Sequence, residues 1–386
     1  MDYAKFYIDA NQALIESLIS TWVPGLKDEQ NYLRELLAHK EPLIANPVFQ
    51  TIFPWESSTM TFLEHATKQK ILDENFVRAL GAIEEEEFCF PLGRKPYTHQ
   101  TDSWKSLLND KKTIVVTSGT GSGKTECFMI PVIQDLYRQK STVCNEGVQA
   151  IFIYPLNALM KNQQKRVDAW CSALTPNVTY AIYNGDTPDD VQKNKALQAY
   201  PQLLSRSQIR QNPPQILFTN PTMLNYMLVR PEDQDILKKS RGKLRWILLD
   251  EAHTYTGSSA AELSLQIRRI LEAFDVTIEQ VNFALTSATI GDPKSPNTAV
   301  ELKQFVSDIT GKPLSNIKII DGKRIIPELN KIKSKEVLDR INKDFSCKAT
   351  LSDIDGLRKK INKEPSLALT AISKVFDKKT DKKSKK

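Results

Sequence analysis

No two of the five cysteines in this 386-residue sequence stand at C-x-x-C spacing; Cys89, Cys127, Cys144, Cys171 and Cys347 are scattered along the chain. That argues against a cysteine-ligated zinc module and against a disulfide framework, and it fits a reducing cytoplasm. A run of about eighteen apolar residues, the length needed to cross a bilayer, is also missing. The opening stretch MDYAKFYIDANQALIESLI lacks the basic-then-apolar layout of a secretory leader. These absences leave a cytoplasmic protein with no membrane partner as the expectation.

A net positive charge is missing from most of the chain, although the whole carries +7. From Gly291 onward 23 Lys and Arg stand against 13 Asp and Glu, so the first 290 residues are slightly acidic. A basic C-terminal part can hold nucleic acid phosphates or be a solvated, disordered end. At this length there is room for one large domain and one or two smaller ones.

The most informative stretch is TIVVTSGTGSGKT, from Thr113 to Thr125. Its β-branched start predicts a buried strand. The glycines that follow predict a turn, and Glu126 to Arg138 carries apolar residues at helical spacing (Cys127, Ile130, Ile133, Leu136, Tyr137). Strand, glycine loop and helix form a cradle for a polyphosphate, because backbone N–H groups turn inward and the helix start adds positive potential. Ser118, Gly119, Thr120, Gly121, Ser122 and Gly123 form the loop. Lys124 can reach the terminal phosphates, and the Thr125 hydroxyl can hold Mg²⁺. The strict pattern has Gly where Ser118 stands.

Residues 1–92 read as a mostly helical extension punctuated by Pro24-Gly25, Pro42, Pro47 and Pro54, with an acidic run at Glu84–Glu87. Gln100 precedes the phosphate-loop strand, where its amide can pair with the adenine edge. From residue 93 to 310, strand and helix patterns alternate. The expected strands are Thr113–Thr117, Ala150–Tyr154, Thr179–Tyr183, Ile216–Thr219, Trp246–Asp250 and Asn282–Thr286. Apolar runs such as AIFIY and WILLD suit strands buried on both faces. The expected fold is therefore α/β: a doubly wound, mainly parallel sheet with helices on both faces, ligand sites lying at the carboxyl ends of its strands. Residues 311–386 read as a partial linker or insert. Short apolar patches occur there at Ile325-Ile326, Val337-Leu338 and Leu367 to Val375, and the end, DKKTDKKSKK, is basic and of low complexity.

Asp250 and Glu251 close the WILLD strand. Asp250 is placed to hold Mg²⁺ through its water shell. Glu251 is suited to orient and deprotonate a water that attacks a γ-phosphate.

TSGTGSGKT, Asp250–His253 (DEAH) and Ser287-Ala288-Thr289 resemble motifs I, II and III of superfamily 2 helicases. That family tolerates Ser at the position of Ser118, and Gln100 matches its adenine-reading glutamine. Tyr154–Leu159 and Thr219–Leu224 match segments that grip the backbone of one nucleic acid strand in the family. Asn184–Pro188 and the run DEAHTYTGSSAAELSLQIRRI look like the bacterial YprA-like DEAH-box DNA helicases and related large defence-associated helicases. The resemblance is dense from Tyr97 to about Thr310 and implies a RecA-like first lobe that uses ATP and Mg²⁺.

Residue by residue, the resemblance makes Lys124, Asp250, Glu251 and His253 catalytic. His253, Ser287, Ala288 and Thr289 would couple nucleotide state to movement. Pro155, Asn157, Gly185, Asp186, Thr219, Asn220 and Pro221 would face nucleic acid. The partner is expected to be DNA rather than RNA, in repair or in defence against foreign DNA. Beyond Thr310 the sequence shows no second alternation of strand and helix, so a second RecA-like lobe is expected in cis in a longer protein or in trans. As it stands the chain is expected to be an incomplete ATP-dependent helicase. Two rival readings remain: a nucleotide-gated binding module that never unwinds, and the lobe of an RNA helicase.

Overall fold

A computed structural model describes residues 3–38, 43–44, 53–119, 121–139, 147–174, 176, 178–287 and 296–325. The expectations for Cys144, Cys347, Thr120, Ala288, Thr289 and everything from Ile326 to Lys386, including the basic end, lie outside the described residues. The chain divides into two compact units, Met1–Phe53 and Pro54–Lys386. Among the described residues no helix is long and apolar enough to cross a membrane.

The first unit holds helices α1 (Tyr3–Trp22) and α2 (Lys27–Ala38). Gly25, at φ +81°, lies in the turn between them. Ile19 is its buried anchor. Arg34 forks onto both carboxylate oxygens of Glu16 at 2.7 and 2.8 Å, an exposed pair of the kind that adds little stability.

In the second unit, short helices α3 (Phe62–Thr67) and α4 (Glu74–Gly81) precede α5 (Thr98–Leu108). Strand β1 (Thr113–Val116) then leads to α6 (Lys124–Arg138), β2 (Ala150–Ile153) to α7 (Asn157–Ser172), and β3 (Tyr180–Tyr183) to α8 (Lys193–Gln198). After β4 (Gln202–Leu203) come α9 (Arg206–Gln211), β5 (Ile216–Thr219), α10 (Pro221–Val229) and α11 (Gln234–Ser240). The chain continues through β6 (Trp246–Leu249), α12 (Ser258–Ala273), β7 (Asn282–Thr286), α13 (Pro296–Thr310) and β8 (Ile317–Ile320).

The eight strands form one sheet in the order β4-β3-β5-β2-β6-β7-β1-β8, and every neighbouring pair runs parallel. Both faces are covered, as the apolar runs require. Ile114, Val116, Phe152 and Leu248 enter one core with α5, α6 and α7. Val115, Ile151, Ile153, Ile247 and Leu249 enter the other, with α10 to α13. Each such side chain contributes about 1.5–3 kcal/mol relative to exposure, so the sheet is the stable platform and its loops are free to specialise.

Two placements differ from the sequence reading. Residues 54–92 fall in the same unit as the sheet: Phe62, Phe76, Val77, Leu80 and Phe90 share a core with Ile114 and Ile130. The sheet also continues past Thr310, since β8 pairs with β1 from Thr113↔Ile317 to Val116↔Ile320. The segment read as a linker therefore supplies an edge strand of the sheet.

Candidate active site

The loops after β1, β2, β3, β5, β6 and β7 emerge at one end of a parallel sheet, the carboxyl end. The strand order puts β7 between β6 and β1, so the Asp-Glu pair and the glycine loop face each other across a single strand.

The glycine loop adopts backbone conformations that a side chain would oppose. Gly121 and Gly123 have φ of +72° and +74°, the left-handed region open to glycine. A Cβ on Gly123 would also stand 2.4 Å from Gln100 Nε2. The close approach exists because the buried Gln100 side chain donates from Nε2 to the Gly123 carbonyl at 3.2 Å. Its Oε1 accepts from Tyr97 N–H at 3.0 Å. Each end of that amide keeps one further hydrogen-bonding position. His99 braces the same turn through Nε2, 2.7 Å from the Ser122 carbonyl. A carbonyl only accepts, so the proton sits on Nε2. Burial lowers the pKa of this imidazole and favours the neutral ring.

Ser118 departs from the strict pattern for a visible reason: its hydroxyl lies 2.6 Å from that of Ser122 and ties the loop across its base. Sequence inspection missed a neighbour. Trp55 packs at the edge of this loop, 3.7 Å from where a Cβ on Gly119 would lie. The Arg324 guanidinium lies over its ring at 3.6 Å.

Lys124 opens α6, and its Nζ stands 4.0 Å from Glu251 Oε1. His253 Nδ1 lies 3.2 Å from the other Glu251 oxygen. Glu251 itself has φ of +49°, an uncommon conformation for a residue with a side chain, which turns its carboxylate toward Lys124. Asp250 is fixed to β2 by its N–H, 3.0 Å from the Ile153 carbonyl. Burial raises the pKa of Asp250, and the nearby Glu251 charge adds to this. A cation beside it would reverse that shift. Together, a loop with glycine at its two left-handed positions, one lysine and two carboxylates match the needs of a metal-bound polyphosphate.

Thr286, the last residue of β7, organises the pair. Its hydroxyl accepts from Glu251 N–H at 2.9 Å and donates to Asp250 Oδ1. It lay inside an expected strand, and its place directly before Ser287 was the available signal. Ser287 N–H donates to the Val116 carbonyl at 3.0 Å, tying the loop after β7 to β1. Thr286→Val should keep the fold and weaken binding of a Mg-bound nucleoside triphosphate about 10- to 100-fold, the usual cost of losing a partner that orients a carboxylate beside a metal. Thr286→Ser should restore most of it. Unchanged affinity in the valine variant would remove Thr286 from the site.

The segments expected to face nucleic acid are brought together. Asn220 caps α10 through Met223 N–H at 2.8 Å and donates from Nδ2 to Asn157 Oδ1 at 2.9 Å. Lys161 on α7 reaches Asp186 at 3.5 Å. Pro155, Gly185 and Pro221 lie at or near the surface of the same loops. Thr219 needs correcting as a contact residue. It is 1% exposed and its hydroxyl donates to the Tyr183 carbonyl at 2.7 Å, so its side chain positions β5 against β3 and cannot reach a strand. Arg206, also missed, braces the loop after β3 by donating to the carbonyls of Thr187 and Asn184 at 2.9 and 3.2 Å.

A parallel α/β sheet with a glycine loop after one strand and an Asp-Glu pair two strands away defines a RecA-like lobe. The DEAD/DEAH box helicase family model matches residues 97–296, and the chain belongs to that family. It is 27% identical over 349 residues to the Druantia protein DruE of Escherichia coli, covering 65% of this chain and 19% of that protein. To the uncharacterized ATP-dependent helicase YprA of Bacillus subtilis it is 25% identical over 218 residues, covering 56% of this chain and 25% of the relative. Among solved structures, the DEAD-box helicase Mss116, bound to ssRNA and UDP-BeF, superposes with a TM-score of 0.52 at 15% identity. That match covers 80% of this chain and 54% of Mss116, and it supports the fold. The chain spans about a fifth to a quarter of the length of these two curated relatives.

Proposed function

We propose that this chain is the ATP-binding lobe of a superfamily 2 DNA helicase or translocase, acting in repair or in defence against foreign DNA. It would work with a second RecA-like lobe supplied in cis or in trans. The observation that carries this reading is the convergence of Lys124, Asp250 and Glu251 on the loop that contains Gly121 and Gly123, with Lys124 4.0 Å from Glu251. Mg²⁺ bound with the nucleotide would neutralise phosphate charge. Asp250 and the Thr125 hydroxyl would hold it, Lys124 would take the terminal phosphates, and Glu251 would accept a proton from the attacking water. Gln100 would use its remaining hydrogen-bonding positions for the adenine edge. Strand contacts would come from backbone N–H groups at the starts of α7 and α10 and from the loop at Gly185 and Asp186.

Turnover of ATP and of GTP by the chain supplied with a second RecA-like lobe, each with single-stranded DNA, duplex DNA and RNA of one sequence, tests this reading. ATP should be preferred. Gln100→Ala should erode that preference, because a mismatched base leaves polar groups unpaired at a cost of roughly 1–3 kcal/mol. Stimulation should be greater with DNA. Stronger stimulation by RNA would favour the RNA helicase lobe, and equal use of GTP would remove Gln100 from base reading.

A further inference from the structure

Two polar groups are buried without partners next to this site, and both belong to elements that lead to the strand-facing loops. Tyr154 follows β2 and is 1% exposed, and its hydroxyl has no hydrogen-bond partner among the described residues. The register Ile153↔Leu249 places Tyr154 beside Asp250. The alternation that puts Phe152 and Leu248 in one core sends both side chains to the same face of the sheet. Burial, and then the charge of Asp250, raise the pKa of this hydroxyl, so it remains a donor. The second group is Glu126, in the first turn of α6. One of its oxygens lies 3.5 Å from Arg166 on α7. The other is buried, unpartnered and 3.0 Å from where a Cβ on Gly123 would stand. Arg166 is also close enough to Tyr154 for its charge to act on the hydroxyl.

We propose that Tyr154 and the Glu126–Arg166 pair are positioning residues that carry the occupancy of the nucleotide site to the strand-facing start of α7. This inference rests on the reading of the two sites given above. A buried donor on Tyr154 and a buried acceptor on Glu126, each left unpaired, make the nucleotide-free arrangement costly. Loading the site changes what lies next to both. With a metal held at Asp250, Tyr154 would donate to the second Asp250 oxygen or to a water ordered beside it. The turn at Gly123 tightens on the phosphates, and Glu126 shifts with it against Arg166. Neither movement has far to travel. The peptide after Tyr154 is Pro155, and Arg166 lies on the helix that Asn157 begins. Asn157 is in turn bonded to Asn220, so a shift of α7 moves two strand-facing segments together.

Fluorescence anisotropy of a labelled single-stranded oligonucleotide tests this, with the full 386-residue chain titrated with and without a saturating Mg-bound non-hydrolysable ATP analogue. The unmodified chain should bind the oligonucleotide at least about fivefold more tightly when loaded, the low end of ordinary coupling between two sites. Tyr154→Phe keeps the ring and removes only the hydroxyl. In it and in Arg166→Ala the ratio should fall toward one, and Arg166→Ala, outside the strand-facing segments, should leave nucleotide-free affinity within about twofold of the parent. Arg166→Lys, which keeps the charge, should retain most of the ratio. Undiminished ratios in Tyr154→Phe and Arg166→Ala would overturn the proposal alone. So would an unmodified chain that binds both ligands with no mutual effect, the two sites still standing. If the unmodified chain bound neither ligand, the functional reading would fall and this inference with it.

Discussion

With a second RecA-like lobe supplied, Glu251→Gln should leave nucleotide binding intact and lower turnover by about 10²–10⁴, the usual contribution of a positioned general base. The amide keeps the size of the side chain and the hydrogen bond from Glu251 N–H to Thr286, but it cannot take a proton from water. Lys124→Ala should behave differently. The Lys124 side chain is 13% exposed and stands at the head of α6 beside Glu251, so it is the fixed positive charge that a triphosphate would meet there. Its removal should abolish binding, and turnover should disappear as a consequence. The two variants separate the roles when equilibrium binding and single-turnover hydrolysis are measured on the same preparations. A Glu251→Gln protein that binds as poorly as Lys124→Ala would show that the division of labour drawn here is wrong.

The second large effect is expected from a second lobe. Phosphoryl transfer develops charge on the γ-phosphate that must be met from more than one side, and an arginine finger supplied across an interface adds about 10³–10⁵ in rate. In the described residues, fixed positive charge reaches Glu251 from the Lys124 side. Unwinding needs two lobes that alternately close and open on a strand. The 386-residue chain by itself should hydrolyse ATP near the background rate and leave duplexes intact. Adding the second RecA-like lobe of a longer relative, fused or in trans, should raise turnover in the presence of DNA by a factor in that range. Strand displacement by the chain alone would overturn the single-lobe reading.

The glycine loop and the strand end that carries Asp250 were legible because a phosphate cradle demands particular residues at particular spacings. Glycines at 121 and 123 are needed where the backbone turns left-handed, and Lys124 must open the helix. Asp250 and Glu251 must close a strand buried on both faces, and the apolar run ahead of them predicted that burial. Six of the eight strands were visible for the same reason, each within a residue of its observed limits.

What escaped was structure without a composition signal. Gln202-Leu203 is two residues long and half-buried, so β4 has no apolar run to announce it. Ile317–Ile320 is buried only at its two ends, as an edge strand can be, and lay in a segment whose charge suggested a linker. Residues 54–92 were grouped with the first helices by proximity in sequence. Their assignment depends on Phe62, Phe76 and Phe90 meeting Trp104 and Ile130 across the fold, a long-range fact that periodicity does not contain. Thr286 and Thr219 show the same limit from the side of function. Both hydroxyls were expected in or near motifs, but only the geometry shows that Thr286 links the Glu251 backbone N–H to the Asp250 carboxylate while Thr219 is spent on Tyr183.

Calorimetric titration of the unmodified chain and of Lys124→Ala with a Mg-bound non-hydrolysable ATP analogue tests the central claim most directly. One saturable site in the unmodified chain, lost in the variant, is the predicted result. Equal binding by the two proteins, or no binding by the unmodified chain, would contradict the assignment of the loop after β1 as the nucleotide site.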